Sequence, residues 1–174
     1  TSIQLLEDTY LYKSYYNVIL LNKSAEPLIN RDMILLIAGE TFNGITDNDG
    51  IAKVFLDLVP GSYDVTIINS DTLEEKNQSI IVLPVNTTVS LSVDYNGCNP
   101  VNITANVWDQ FGNPLDCGEV IFNLSNLIVS VNVSEGLAKI THTFPIGSNS
   151  VSGAFNAVGY GSSSDSASFD VEKS

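Results

Sequence analysis

The sequence repeats itself. Slid by 87 positions, Pro114 falls on Pro27, Leu115 on Leu28, Val107 on Leu20, Val120 on Met33 and Phe122 on Leu35, without a gap. At an offset of 86, Gly136-Leu137-Ala138-Lys139-Ile140 falls on Gly50-Ile51-Ala52-Lys53-Val54, and Gly147 to Val151 falls on Gly61 to Val65. Near the end the offset is 89, with Ser168-Phe169-Asp170-Val171 on Ser79-Ile80-Ile81-Val82. A period this long is a whole domain rather than one blade or one solenoid turn. The chain is therefore two copies of one unit, 1–84 and 85–174, each large enough for one modest core.

The best-marked joint is Trp108-Asp109-Gln110-Phe111-Gly112-Asn113-Pro114-Leu115. Alternating apolar residues lead into it (Ile103, Ala105, Val107) and out of it (Val120, Phe122, Leu124), so it reads as a turn between two half-buried strands. Gly112 and Asn113 tolerate positive φ, and Pro114 offers no donor to a ladder, so pairing stops there. In the first unit apolar runs at 16–21, 33–37, 41–46, 51–58, 63–68 and 79–83 alternate with turn signals such as Asp47-Asn48-Asp49-Gly50 and Pro60-Gly61. The residues through Leu5 and Tyr12 are expected to supply one leading strand. The second unit alternates more cleanly, as in Val129, Val131 and Val133 against Ser130, Asn132 and Ser134. No stretch has helical periodicity. The expected architecture is all-β: two tandem antiparallel sandwiches arranged head to tail, joined near Pro84-Val85-Asn86 without a flexible linker and so restricted in hinge motion.

Charge narrows the partners. Twenty acidic residues against seven basic ones give −13, which repels phosphate backbones and anionic lipid heads and argues against nucleic acid or a membrane surface. No apolar run approaches the ~20 residues that span a bilayer. The chain opens at Thr1-Ser2 without a start methionine and enters a strand-like stretch almost at once, which reads as an excerpt of a larger protein.

The motifs Val107-Trp108-Asp109-Gln110-Phe111-Gly112-Asn113-Pro114-Leu115, Gly118-Glu119-Val120-Ile121-Phe122, Gly136-Leu137-Ala138 and Ala167-Ser168-Phe169 resemble bacterial and archaeal Ig-like repeats of large surface adhesins. The first unit, with Thr46-Asp47-Asn48-Asp49-Gly50-Ile51-Ala52 and Leu58-Val59-Pro60-Gly61-Ser62-Tyr63, is similar to adhesin-like proteins of methanogenic archaea. The resemblance covers nearly the whole chain. It implies Ig-like sandwiches, a cell-surface or secreted location and a role as either adhesive module or stalk. The chain departs from antibody-type domains in its cysteines and in Trp108, which stands at a strand end rather than between two bridged cysteines.

Several residues are candidates for chemistry, each with a structural alternative. Tyr10, Tyr12, Tyr15 and Tyr16 pair flat rings with hydroxyls suited to a sugar or a protein, and Phe111 sits on a turn tip; strand tyrosines also cover sandwich edges. Asp47 and Asp49, with Asp57 nearby, place alternate acidic oxygens where calcium can be held, although Asp-Gly is equally the chemistry of a tight turn. Sequons at Asn22, Asn77, Asn86, Asn102, Asn123 and Asn132 suit a glycosylated surface. Cys98 and Cys117 suggest a disulfide, but an extended strand from Pro100 to Trp108 carries the chain roughly 30 Å away, so two free thiols are expected. An isopeptide between Lys13, Lys23 or Lys53 and an Asn such as Asn77 has no pattern to single it out. His142, the sole histidine, lacks a nucleophile or carboxylate partner at recognisable spacing, and no phosphate loop precedes a helix.

The expectation is a non-enzymatic, monomeric, cofactor-free module on the outside of a cell, part of a larger anchored protein. It would bind a surface protein or glycan of another cell, or neighbouring repeats of its own chain. Alternatively it is a spacer that projects a distal binding domain.

Overall fold

In the computed structural model, which describes residues 2–94 and 96–173, the chain resolves into two compact units, Thr1–Pro84 and Val85–Ser174. Every regular element is a strand, and no helix is long and apolar enough to cross a membrane among the described residues.

The first unit contains β1 (Ile3–Leu5), β2 (Thr9–Leu11), β3 (Tyr15–Leu20), β4 (Asp32–Ile37), β5 (Glu40–Ile45), β6 (Ile51–Phe55), β7 (Gly61–Asn69) and β8 (Glu75–Leu83). They form one sheet in the order β1-β3-β6 and a second in the order β2-β8-β7-β4-β5. The second unit contains β9 (Thr87–Asp94), β10 (Val101–Asp109), β11 (Glu119–Asn123), β12 (Ile128–Asn132), β13 (Leu137–His142), β14 (Gly147–Asn156) and β15 (Ser163–Val171), in sheets β13-β10-β9 and β12-β11-β14-β15. In both, inward residues alternate with outward ones, as the period of two along a strand demands. Val18, Leu20, Met33, Leu35, Ile67 and Ile80 fill one core; Ile103, Val120, Phe122, Phe155 and Ala105 fill the other.

The sequence repeat is a structural repeat. The Asp109 carboxylate accepts the N–H groups of Phe111 and Asn113, both at 2.9 Å. In the first unit the Asn22 amide oxygen accepts those of Ser24 at 2.8 Å and Glu26 at 3.0 Å. Trp108 bridges Pro114 as Leu21 bridges Pro27, and Leu115 N–H reaches Val107 O as Leu28 N–H reaches Leu20 O. The turn does not close a hairpin. It carries the chain from one sheet to the other, since β10 and β11, like β3 and β4, lie in different sheets. A glycine from later in the chain seals it. A Cβ on Gly136 would lie 2.7 Å from the Pro114 side chain, and one on Gly50 would lie 2.9 Å from that of Pro27.

The changes of offset have equally local causes. Between β5 and β6 the chain turns through Asp47 to Ile51, whereas between β12 and β13 it turns through Ser134 to Leu137, one residue fewer. The hairpin of β14 and β15 is in turn three residues longer than that of β7 and β8, since Gly147 pairs with Val171, 24 positions on, and Gly61 with Val82, 21 positions on.

One expectation fails. The leading strand of the first unit is not single: β1 pairs antiparallel with β3, and after Leu5 the chain crosses to the other sheet, where β2 pairs parallel with β8. In the second unit β9 stays on β10 for its whole length.

Candidate functional site

The four tyrosines do not form one surface. Tyr16 is fully buried and Tyr10 nearly so, because both point between the sheets where the chain crosses from β1 to β2. Their ring centroids are 5.2 Å apart. The Tyr16 hydroxyl donates to Gln78 Oε1 at 2.7 Å, Gln78 Nε2 donates to the Glu7 carbonyl at 2.7 Å, and the Tyr10 hydroxyl donates to the same carbonyl at 3.2 Å. This network satisfies backbone that the strand switch leaves unpaired, a necessity wherever a ladder ends in a half-buried place. Burial raises the pKa of both phenols above its ordinary value, in Tyr10 against a lowering contribution from the Asn17 N–H. Both are structural, and Gln78 and Glu7, which complete the network, carry no mark in the sequence.

Tyr15 and Tyr12 differ. Tyr15 is 54% exposed and meets Phe55 edge to face at 5.4 Å, directly opposite it in the β3–β6 register. Phe55 is itself 44% exposed, so an aromatic pair stands on the outer face with no core contact to explain it. Beside it lies a groove of about 430 Å³ to which Glu7, Tyr15, Asn17 and Lys53 contribute. Tyr12 is half-buried and receives the Lys13 ammonium over its ring at 5.4 Å. Alternation of exposure along β6 would have flagged Phe55 had the register with β3 been known.

The Asp47 carboxylate is turned inward on its own loop, accepting Asp49 N–H at 2.9 Å and Ile51 N–H at 3.0 Å. These bonds, that from Ile51 foremost, hold its carboxyl below the ordinary range. Asp47 thus caps its own turn, and the described residues hold no cluster of three or more His, Cys, Asp or Glu able to grip a metal.

Cys98 and Cys117 are free thiols, half-buried and exposed respectively. Five of the sequon asparagines, Asn77, Asn86, Asn102, Asn123 and Asn132, are exposed. Asn22 is half-buried and committed at both ends, its oxygen to the turn and its Nδ2 to Glu26 at 3.0 Å, so it is a turn cap. His142 packs edge-on against Phe144 at 4.7 Å, and Phe144 in turn against Phe169 at 5.0 Å, as part of the second unit's rim.

Phe111 is 62% exposed at the tip of its turn. In the same unit Trp108, Asn106 and Glu135 line a groove of about 410 Å³ together with Pro114, Gly112 and Gly136. Sequence reasoning named Phe111 but passed over Trp108 and Glu135, which only the return of β13 beside β10 brings together.

No protein family matches this sequence, and no curated protein sequence matches it either. Solved structures align with nearly the whole chain. Invasin, a bacterial integrin-binding protein, aligns over 97% of this chain with a TM-score of 0.53 at 14% identity. The Yersinia pseudotuberculosis adhesin InvE aligns over 98% with a TM-score of 0.45 at 13% identity, and the fibronectin(III)-like modules of Clostridium thermocellum CbhA over 98% with 0.43 at 16%. The chain is a pair of Ig-like β-sandwiches. It spans 38% of the invasin chain and 59% of that of InvE.

Proposed function

We propose that this chain is an extracellular, non-enzymatic adhesin-type module, part of a larger surface-anchored protein, that binds a protein or glycan on another cell. The observation that carries this reading is the Tyr15–Phe55 pair, two large rings exposed side by side on the outer face of β3 and β6. Aromatic rings exposed on a rigid sheet are the groups that anchor protein and sugar partners. The fold shared with invasin supports the setting, and the turn motifs of the first unit support the likeness to adhesin-like proteins of methanogens. Five exposed sequons fit a glycosylated outer surface.

A spacer is the second reading, favoured by the outward face of β14 and β15. Ser148, Ser150, Ser152, Ser164, Ser166 and Ser168 make that face small, polar and without an anchor. Binding separates the two. Bead-coupled protein is offered to a panel of cells and glycans beside a Tyr15→Ala/Phe55→Ala variant, with Tyr10 and Tyr16 untouched. Saturable binding lost in the variant, at unchanged thermal stability, is expected of the adhesive module; a folded protein that binds nothing is a spacer.

A further inference from the structure

The repeat provides an internal control on what its turn requires. Both units close the turn with a proline, an Asx cap and a glycine from a later turn. At matching positions the first unit carries Leu21, Ser24 and Asn48-Asp49, and the second carries Trp108, Phe111 and Glu135. The lock therefore needs neither an indole nor an exposed phenyl ring. In the second unit Trp108 and Glu135 line one groove, and Trp108 is only half-buried there.

Charge indicates what the groove accepts. Glu135 is exposed, and its N–H is held by the Asp116 carboxylate at 2.9 Å, which sets a second negative charge beside it. No lysine, arginine or histidine lines the groove, in a chain of net charge −13. An indole face attracts a cation through its quadrupole, and an adjacent carboxylate adds to that attraction. A phosphorylated or sulfated ligand would be repelled. The geometry points to a docking site for a basic polypeptide segment of a partner protein, with an arginine or lysine side chain laid on Trp108 and paired with Glu135. This deepens the reading of the chain as an interaction module and rests on it.

Trp108 is the sole tryptophan, so its emission reports occupancy. The whole chain is titrated with hexaarginine and, separately, with maltohexaose. Hexaarginine is expected to shift the emission saturably and maltohexaose to leave it unchanged. Glu135→Gln is expected to weaken hexaarginine binding roughly fivefold, the ratio that about 1 kcal/mol corresponds to. Asp170→Asn, outside the groove, is expected to change it less than twofold. Trp108→Leu, which installs the residue type of the first unit, is expected to weaken binding roughly two- to thirtyfold by calorimetry while thermal unfolding stays in place. Equal weakening by Glu135→Gln and Asp170→Asn would reduce the binding to non-specific charge and overturn the site, as would full binding by Trp108→Leu. An emission shift with maltohexaose in place of hexaarginine would make it a sugar site instead. If hexaarginine fails while cells still bind through Tyr15 and Phe55, the groove falls and the adhesive reading stands. If the cell panel fails while hexaarginine binds, the opposite holds.

Discussion

The two units solve one problem differently. Each must close the seam between its sheets at the leading strand. The first unit breaks that strand after Leu5 and sends β2 to pair with β8, then fills the gap with Tyr10, Tyr16, Gln78 and the Glu7 carbonyl. The second keeps β9 continuous on β10 and ties it to β15 and the turn before it through side chains. Thr87 Oγ1 donates to Gly161 O at 2.6 Å, and Leu91 N–H donates to Asp165 Oδ2 at 2.9 Å. Of the pairing seen between β2 and β8, the second unit keeps the bond from Glu172 N–H to Gly97 O. A buried polar network and a continuous ladder are thus interchangeable closures of one scaffold, and the difference predicts where each unit yields.

The largest effect tests the part that both units share. Phe122 and Leu35 are equivalent and fully buried. Phe122→Ala is expected to cost about 3 to 5 kcal/mol and Leu35→Ala about 2 to 5 kcal/mol, through the cavities they leave. Denaturant unfolding followed by Trp108 emission reads the second unit, and far-ultraviolet circular dichroism reads both. A Trp108 transition that moves only with Phe122→Ala means two independent cores; one that moves equally with Leu35→Ala would refute that independence.

A smaller effect sharpens the repeat itself. Gly136→Ala and Gly50→Ala each force a Cβ against a proline at φ of +78° and +76°. Each is expected to cost about 1 to 3 kcal/mol, as a strained residue does. A variant that melts as wild type in either unit would show that the turn of that unit is not locked by its glycine.

The smallest effects lie in pH and set the units apart. Tyr10 and Tyr16 have folded pKa values raised above the ordinary 10.0, so the fold favours the neutral phenols. Their contribution is complete below pH 10 and is lost as pH rises above it. Tyr16→Phe is expected to flatten that alkaline loss in thermal scans; an unchanged alkaline slope would show that the stitch is not what titrates. In the same unit the Ser2 hydroxyl and N–H hold the Glu74 carboxyl below its ordinary value, and Asp47 is lowered by its own loop. Their contribution is present above the ordinary carboxylate range near 4 and is lost as pH falls below it.

Much was legible in the chain because it is local. The repeat, the strand alternation and the turn at Gly112-Asn113-Pro114 are short-range chemistry, in which a residue type and its neighbours settle the backbone within a few positions. The two changes of offset are local as well, since one is a shorter turn and the other a longer hairpin in the second unit.

Sequence alone thus determined an all-β chain made of one unit written twice. Only the tertiary structure decided which tyrosines are exposed and which are core, because the four lie within seven residues and the answer depends on where the chain leaves β1 for the other sheet and where it returns at β3. It also decided that Trp108 and Glu135 share a groove, since β13 returns beside β10 only after the chain has crossed the opposite sheet through β11 and β12. Such meetings come from pairing between strands distant in sequence, and residue type carries no record of the partner across the ladder.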